Sequence, residues 1–137
     1  QYGNVNALLS EGRGTTMGDG WETRRRRVPG NDFIIIELGT PGLISNVEID
    51  TCHFKGNFPD RASIQTTDLK NEKDKIKAFE ASSNWEFFLD EKKCKPDFIH
   101  NFGKNDFLHE NTVSHVRLNI YPDGGVSRFR IFGQPVS

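Results

Sequence analysis

Residues 17–30 combine side chains that could bind a small anionic substrate. Trp21 and Glu22 follow a glycine-flanked aspartate and precede four consecutive arginines, residues 24–27. Glycine permits sharp backbone turns, so Trp21 and Glu22 are expected at a rim of the domain, where functional sites are commonly built. In an extended segment alternate side chains point to opposite faces, so at most two of the arginines can bind one anion. The alternatives for this basic run are a solvated or nucleic-acid-facing surface and a localisation signal.

Residues 50–60 hold a second group of polar side chains, at the end of a predicted strand. Asp50 lies on the acidic face of that strand. The loop that follows carries side chains that can donate or accept hydrogen bonds, namely His53, Lys55 and Asn57. His53 suits either proton transfer or a structural hydrogen bond. Asp50 suits either proton transfer or an ion pair with an arginine, and the same two roles are open to Glu22.

The strongest hairpin signal is Pro-Asp-Gly-Gly at residues 122–125, which separates two alternating apolar stretches. The register of such a hairpin places Arg117 opposite Arg130 and Asn119 opposite Arg128 on one polar face. Like charges directly opposite each other destabilise a sheet, so an anionic group must lie over this face. That group is either a structural carboxylate or the anion of a substrate. The candidate carboxylates are Glu22, Glu48 and Asp50.

The elements that must position these residues are short predicted strands separated by Gly/Pro turns. The strand at residues 44–54 alternates between apolar side chains, Val47 and Ile49 among them, and acidic ones, so it presents a core face and an acidic face. Residues 68–80 carry charges of both signs and are expected to form an exposed excursion with a helical turn at 76–79. This pattern predicts an all-β fold, an antiparallel β-sandwich of jelly-roll type.

The predicted strands are residues 33–38, ended by a turn at 39–42, then 44–54, 62–67, 84–89, 113–121 and 126–132. Residues 1–16 are expected as a lead-in, 17–133 as the single domain and 134–137 as a tail.

The composition argues against several classes of protein. The chain of 137 residues carries 18 lysines and arginines against 19 aspartates and glutamates, a net charge of -1, whereas nucleic-acid-binding modules usually carry a basic surplus. No stretch approaches the roughly 20 apolar residues of a membrane span, and no signal peptide is visible. We therefore expect no nucleic-acid partner and no membrane partner.

Cysteine and histidine spacing gives no indication of a metal site, and no cofactor is expected. Cys52 and Cys94 form no CxxC pair, and the four histidines make no HxH or HExxH pattern. The cysteines are expected as unpaired thiols in a reducing compartment, the cytoplasm. A disulfide between them is the alternative and would indicate an oxidising compartment.

Three motifs, standing in order along the chain, together resemble allantoicase. They are Met-Gly-Asp-Gly-Trp-Glu-Thr-Arg-Arg-Arg-Arg at residues 17–27, Asp-Thr-Cys-His-Phe-Lys-Gly-Asn-Phe-Pro-Asp at 50–60 and His-Val-Arg-Leu-Asn-Ile-Tyr-Pro-Asp-Gly-Gly-Val at 115–126. Allantoicases contain two repeats, and the resemblance is closer to the second. It implies a jelly roll related to galactose-binding and discoidin modules. Phe33 and Cys52 depart from the tryptophan and the small residue that the family often has there.

The resemblance implies an enzyme that hydrolyses allantoate to ureidoglycolate and urea, a step of purine catabolism. Allantoate carries a carboxylate and two ureido groups on one carbon, so its cleavage needs an anion clamp, an acid for the departing urea and a base. The residues that fit these demands are Arg24, Arg25 and Arg117 for the carboxylate, Lys55, Asn57 and Asn119 for the ureido groups, Glu22, Asp50 and His53 for proton transfer, and Trp21 as an aromatic wall.

The partners that the resemblance implies are allantoate, a second allantoicase repeat and further copies of the chain in a homo-oligomer. A single repeat is expected to expose the apolar surface that its partner covers, and therefore to self-associate. The alternative function is a non-catalytic β-sandwich module, derived from one allantoicase repeat, that serves binding or assembly.

Overall fold

The computed structural model describes residues 31–136 and, for their backbone alone, residues 2–3 and 21–22. Its strands are β1 (Tyr2–Gly3), β2 (Trp21–Glu22), β3 (Asp32–Asp50), β4 (Arg61–Thr67), β5 (Glu86–Lys93), β6 (Ile99–Phe102), β7 (Val113–Tyr121), β8 (Gly125–Val126) and β9 (Arg128–Pro135). Helix is confined, in this part of the chain, to α1 (Lys75–Glu80) and two 3-10 turns, Ser82–Asn84 and Lys104–Asp106. None of these helices is long and apolar enough to cross a membrane. Every strand pairing between described residues is antiparallel, so the predicted all-β antiparallel architecture is confirmed.

The longest element is β3, a strand of 19 residues that pairs with different neighbours along its length. From Asp32 to Glu37 it pairs with β7, whereas its second part pairs with β9 and, from Val47 onward, also with β6. The sequence predicted two strands separated at residues 39–42, and this separation is wrong. The register against β7 shifts between Glu37 and Gly42, so the glycine-rich stretch forms an irregularity inside one continuous strand.

The core is built from residues of β3, β4, β5, β7 and β9. In β3, Val47 and Ile49 are buried, which confirms the predicted core face. In β7, which lies between β3 and β4, alternate residues from Val116 to Ile120 join the core. Removing such side chains from water contributes roughly 25 cal/mol per Å² of apolar surface. The buried core residues include Val47, Ile49, Ala62, Ile64, Phe88, Leu89, Val113, Val116, Leu118, Ile120 and Phe129.

The predicted hairpin around residues 122–125 is wrong. Strand β7 pairs with β3 and β4, and β9 pairs with β3, so Arg117 and Arg130 do not face each other. Between β7 and β9 the chain forms β8, which pairs with β2. The Gly125 N–H donates to the Asn57 carbonyl at 2.5 Å. The glycine-rich segment therefore packs on the loop after β3 instead of closing a tight turn between its own flanking strands.

Residues 68–85 fold back over the outer face of β4 and β7. Helix α1 confirms the predicted helical turn, and the side chain of Asp74 caps its N-terminus. His115 of β7 is buried beside the rings of Phe79 and Trp85, at centroid distances of 5.4 and 6.4 Å. The excursion is thus ordered locally by its helical turn, and aromatic packing on His115 holds it to the sheet.

His100 on β6 is held in one neutral form. Its Nε2 accepts a hydrogen bond from the Lys95 N–H at 2.8 Å, so the ring proton must lie on Nδ1, which donates to the Ile49 carbonyl at 2.9 Å. Burial lowers the pKa of His100, and burial likewise lowers the pKa of His115. Both rings are therefore more easily protonated in the unfolded chain than in the folded one.

We expect the free energy of unfolding to fall when the pH is lowered below about 6.5, the ordinary pKa of histidine. Above that value both rings are neutral in the folded and the unfolded chain. Below it the unfolded chain binds protons that folded His100 and His115 do not take up, so unfolding is favoured. Denaturant unfolding at about pH 7.5 and about pH 5.5 measures the difference.

A His115→Phe variant keeps a ring between Phe79 and Trp85 but cannot titrate. Its unfolding free energy should change less between the two pH values than that of the unsubstituted protein. Equal unfolding free energies of the unsubstituted protein at both pH values would contradict this account of the two histidines.

Candidate functional site

The β3–β4 loop, residues 51–60, carries the polar residues of the second sequence motif. Asp50, the last residue of β3, is fully buried, and its Oδ1 accepts a hydrogen bond at 2.8 Å from the backbone N–H two residues later. His53 is half-buried and has a φ of 73°. Lys55 and Asn57 are exposed. A buried carboxylate is therefore followed within a few residues by an imidazole, an amine and an amide at the surface.

The segment before β6 holds one side of this loop. Thr51 Oγ1 donates to the Lys95 carbonyl at 2.7 Å, and the Thr51 N–H donates to the Phe98 carbonyl at 2.8 Å. The Phe98 N–H in turn donates to Thr51 Oγ1 at 3.1 Å. These bonds join the start of the loop to the strand that flanks the end of β3.

Asp97 lies in the same segment and was not predicted from the sequence. Its Oδ1 accepts a hydrogen bond from the His53 N–H at 2.7 Å, and its own N–H donates to the Phe54 carbonyl at 3.0 Å. The one signal for it is its position directly after Pro96, where a turn is common. That signal indicates a turn but not which loop the carboxylate contacts.

The segment between β7 and β9 holds the other side of the loop. The Ser127 N–H donates to the Asp50 carbonyl at 2.7 Å, and Ser127 Oγ donates to the Cys52 carbonyl. Further along, the Gly125 N–H bonds the Asn57 carbonyl. The loop is therefore fastened from two sides by backbone and hydroxyl hydrogen bonds.

The backbone of Trp21 and Glu22, in the first motif, lies beside this junction. Strand β2 pairs with β8 and aligns Glu22 with Gly125. The Gly125 N–H also bonds the Asn57 carbonyl. Gly125 therefore lies next to both the backbone of β2 and the β3–β4 loop. Trp21 belongs to this pairing through its backbone, opposite Val126. The remaining predicted residues of the first motif, Arg24 and Arg25, lie outside the described residues.

The acidic face of β3 is matched by arginines of β9. Glu48 is aligned with Arg130, and Asp50 with Arg128. Arg130 Nε lies 3.3 Å from Glu48 Oε2, which confirms the prediction that one of the arginines of the supposed hairpin contacts a carboxylate. Both acids are buried, and a buried carboxylate is tolerated only when it is paired or hydrogen-bonded.

Arg117 lies on the outer face of β7, away from the β3–β4 loop. Its Nε donates to Asn119 Oδ1 at 2.8 Å and its Nη1 to Ser82 Oγ at 2.6 Å, and its guanidinium carbon is 3.6 Å from the centroid of the Phe33 ring. The side chain is buried, and burial lowers the pKa of Arg117. The guanidinium group therefore stacks on one ring and bonds two neutral oxygens.

Asn119 belongs to the same outer-face network. Its Nδ2 donates to Ser63 Oγ at 3.2 Å and to Gln65 Oε1 at 3.0 Å, and Gln65 Nε2 donates to the carbonyls of residues 83 and 85 at 2.8 and 3.0 Å. The structure thus places Asp50 at the end of β3 and His53, Lys55 and Asn57 in the loop that follows. The hydrogen bonds of Arg117 and Asn119 are made in the outer-face network.

The described residues give no indication of a metal centre. Within residues 31–136, no group of three or more histidine, cysteine or carboxylate side chains is placed to hold a metal ion. Cys52 and Cys94 are not joined in a disulfide, and burial raises the pKa of the Cys94 thiol to about 11. Because the thiolate is the reactive form of cysteine, Cys94 acts as an apolar core residue at neutral pH.

The antiparallel strands and few helices define a jelly-roll module of the type found in carbohydrate-binding domains. The family 32 carbohydrate-binding module of Streptococcus pneumoniae EndoD superposes with a TM-score of 0.63 and 11% sequence identity, over 96% of this chain and 86% of that chain. At this level of identity the likeness shows the fold alone.

The chain belongs to the allantoicase repeat family, whose model matches residues 1–136. It is 48% identical over 135 residues to a probable allantoicase of Rhizobium meliloti (strain 1021), covering 97% of this chain. A crystal structure of allantoicase from Saccharomyces cerevisiae matches with a TM-score of 0.81 and 36% identity over 98% of this chain. The chain spans 39% of the first of these proteins and 37% of the second.

Gly125→Ala should destabilise the protein, because a Cβ at this position would collide with the fully buried ring of Phe54. Over-packing of this kind costs ~1 to 3 kcal/mol, and denaturant unfolding measures the loss. Gly56→Ala is the matched control, since nothing lies within 4 Å of a Cβ there; its unfolding free energy should stay within ~0.5 kcal/mol. A Gly125→Ala variant as stable as this control would contradict the packing argument.

Arg117→Ala should lower the free energy of unfolding by ~2 to 4 kcal/mol, because Ser82 and Asn119 lose a charged donor and stay buried. Arg61→Ala is the control: Arg61 is exposed and pairs with Asp60 and Glu91, and such surface pairs contribute about 0 to 1 kcal/mol. If Arg117→Ala remained as stable as the control and instead lost allantoate binding, Arg117 would be a substrate residue.

Proposed function

We propose that this chain is one repeat of an allantoicase, a hydrolase that converts allantoate to ureidoglycolate and urea in purine catabolism. The observation that carries the proposal is the β3–β4 loop, in which His53, Lys55 and Asn57 follow the buried Asp50 within a segment held from both sides. The 48% identity to a probable allantoicase, over 97% of this chain, supports it. A cytoplasmic location, where free thiols persist, belongs to the same proposal.

We assign the proton transfers to His53 and Glu22. Hydrolysis of allantoate breaks the bond between its central carbon and one ureido nitrogen: the carbon gains the hydroxyl group of water, and urea leaves with a proton. An imidazole can accept one proton and donate another in such a sequence. Asp50 is fully buried and one of its oxygens bonds a backbone N–H, so we assign it to holding the loop.

We assign substrate binding to the exposed side chains of the loop and to the first motif. Amide and amine groups suit the carbonyl oxygens of the ureido groups, and a planar guanidinium suits the substrate carboxylate. The proposed binding residues are Trp21, Arg24, Arg25, Lys55 and Asn57. Arg117 and Asn119 are omitted from this set because their hydrogen bonds are made within the outer-face network.

The alternative is a non-catalytic binding or assembly module derived from one repeat. Exposed apolar side chains favour it, since Leu43, Leu108 and Phe132 are 43%, 56% and 49% exposed. A cavity of about 300 Å³ beside Leu43 is lined mainly by apolar residues, Leu38 and Ile44 among them. Large exposed apolar areas commonly mark protein contacts, and we propose that a second repeat or another copy of the chain covers them.

Urea release from allantoate tests the proposal, measured for the purified chain and for a two-repeat protein that contains it. We expect the two-repeat protein to release urea and the single chain to self-associate with little activity. His53→Asn should lower kcat by about 100- to 10,000-fold, the usual contribution of a general acid or base. The fold should be retained, because asparagine tolerates a positive φ.

Two outcomes would contradict the catalytic proposal. One is a two-repeat protein whose repeats pack together but which releases no urea. This result would support the assembly module. The other is a His53→Asn variant with unchanged kcat, which would remove His53 from the chemistry.

A further inference from the structure

Two residues of the site region have an uncommon backbone conformation. Among the described residues, the non-glycine residues with a positive φ are His53, at 73°, and Asp97, at 48°. Side chains other than glycine rarely adopt this left-handed region because the Cβ atom approaches the backbone carbonyl. Such a conformation persists only where surrounding contacts enforce it, and it is frequent at functional sites.

Two hydrogen bonds join Asp97 to the backbone of His53 and Phe54. Asp97 Oδ1 accepts a hydrogen bond from the His53 N–H at 2.7 Å, and the Asp97 N–H donates to the Phe54 carbonyl at 3.0 Å. The Asp97 carboxylate thus binds the backbone N–H of His53, and the Asp97 backbone N–H binds the carbonyl of the next residue, Phe54. A hydrogen bond from a backbone N–H to a carboxylate is charge-assisted and stronger than a bond between neutral groups.

A loop that needed only this backbone shape would carry glycine at position 53. Glycine adopts a positive φ at little steric cost, whereas histidine there keeps an imidazole in a direction that an ordinary backbone would not give. The imidazole is also the group to which we assign proton transfer. The direction of the side chain is a reason for histidine at this strained position, and the Asp97 carboxylate is the acceptor of its N–H.

We propose that Asp97 is a positioning residue: it holds the left-handed backbone of His53 and thereby directs the imidazole at the substrate. This inference rests on the proposed function, since it gives His53 its catalytic meaning. Asp97 acts through the backbone of its neighbour and does not itself touch the substrate.

Two substitutions at position 97 test the role of the acceptor oxygen without changing the φ that the residue can adopt. Asp97→Gly tolerates a φ of 48° but removes the acceptor. Asp97→Asn tolerates the same φ and keeps an acceptor oxygen at the Oδ1 position. Asp74→Gly is the matched control: Asp74 also accepts a backbone hydrogen bond at 3.0 Å, but at the start of α1.

In the two-repeat protein, Asp97→Gly should lower kcat for urea release by about 10- to 100-fold, because a small misplacement of a reacting group has effects of this size. KM should change by less than about threefold, since the loss concerns the reacting geometry. Asp97→Asn should restore most of the kcat, and Asp74→Gly should leave it unchanged. Amide hydrogen exchange at His53 should become faster in Asp97→Gly but not in Asp97→Asn.

The outcomes separate this inference from the proposed function. If the unsubstituted two-repeat protein releases no urea, the proposed function is overturned, and the catalytic role of Asp97 with it. If it releases urea and Asp97→Gly has an unchanged kcat, only the positioning role is overturned. A kcat lost equally in Asp97→Gly and Asp74→Gly would also overturn it, because general destabilisation would then explain the effect.

Discussion

Hydrogen bonding along β3 is the constraint on which the rest of the structure depends. A strand of 19 residues has backbone donors and acceptors on both edges, and these groups need partners. Strand β7 bonds the first part, and β9 and β6 flank the last four residues, from Val47 to Asp50, on both sides. The end of β3 is therefore held most firmly where the β3–β4 loop begins. A loop that starts from such a point can present its side chains in one arrangement.

A second set of buried polar groups stabilises the outer face of β4 and β7. Arg117, Asn119 and Gln65 bond one another or the excursion at residues 82–85. In a low-dielectric interior such a network specifies one arrangement only when its members are satisfied. The polar residues of β7 therefore hold the excursion on the sheet, while Lys55 and Asn57, in the loop after β3, are exposed. One sheet thus supports a structural face and, at the end of β3, a candidate site.

Side-chain alternation predicted much of the fold, because it depends only on neighbouring residues. The buried Val47 and Ile49 follow from it, and so does the acidic face on which Glu48 contacts Arg130. The hairpin was wrong because a turn signal is local, whereas strand pairing is decided by contacts across the whole chain. The role of Asp97 could not be predicted for a similar reason: its partner His53 lies more than forty positions away, and no periodicity connects them.

Gly125 explains why motifs distant in the sequence form one unit. Its backbone pairs with Glu22 in β2, its N–H bonds the Asn57 carbonyl, and the absence of a side chain leaves room for the ring of Phe54. A larger residue would push β8, and the β2 backbone paired with it, away from the β3–β4 loop. The third motif therefore contributes to the candidate site mainly through its glycine and its backbone, and its Arg117 bonds within the outer-face network.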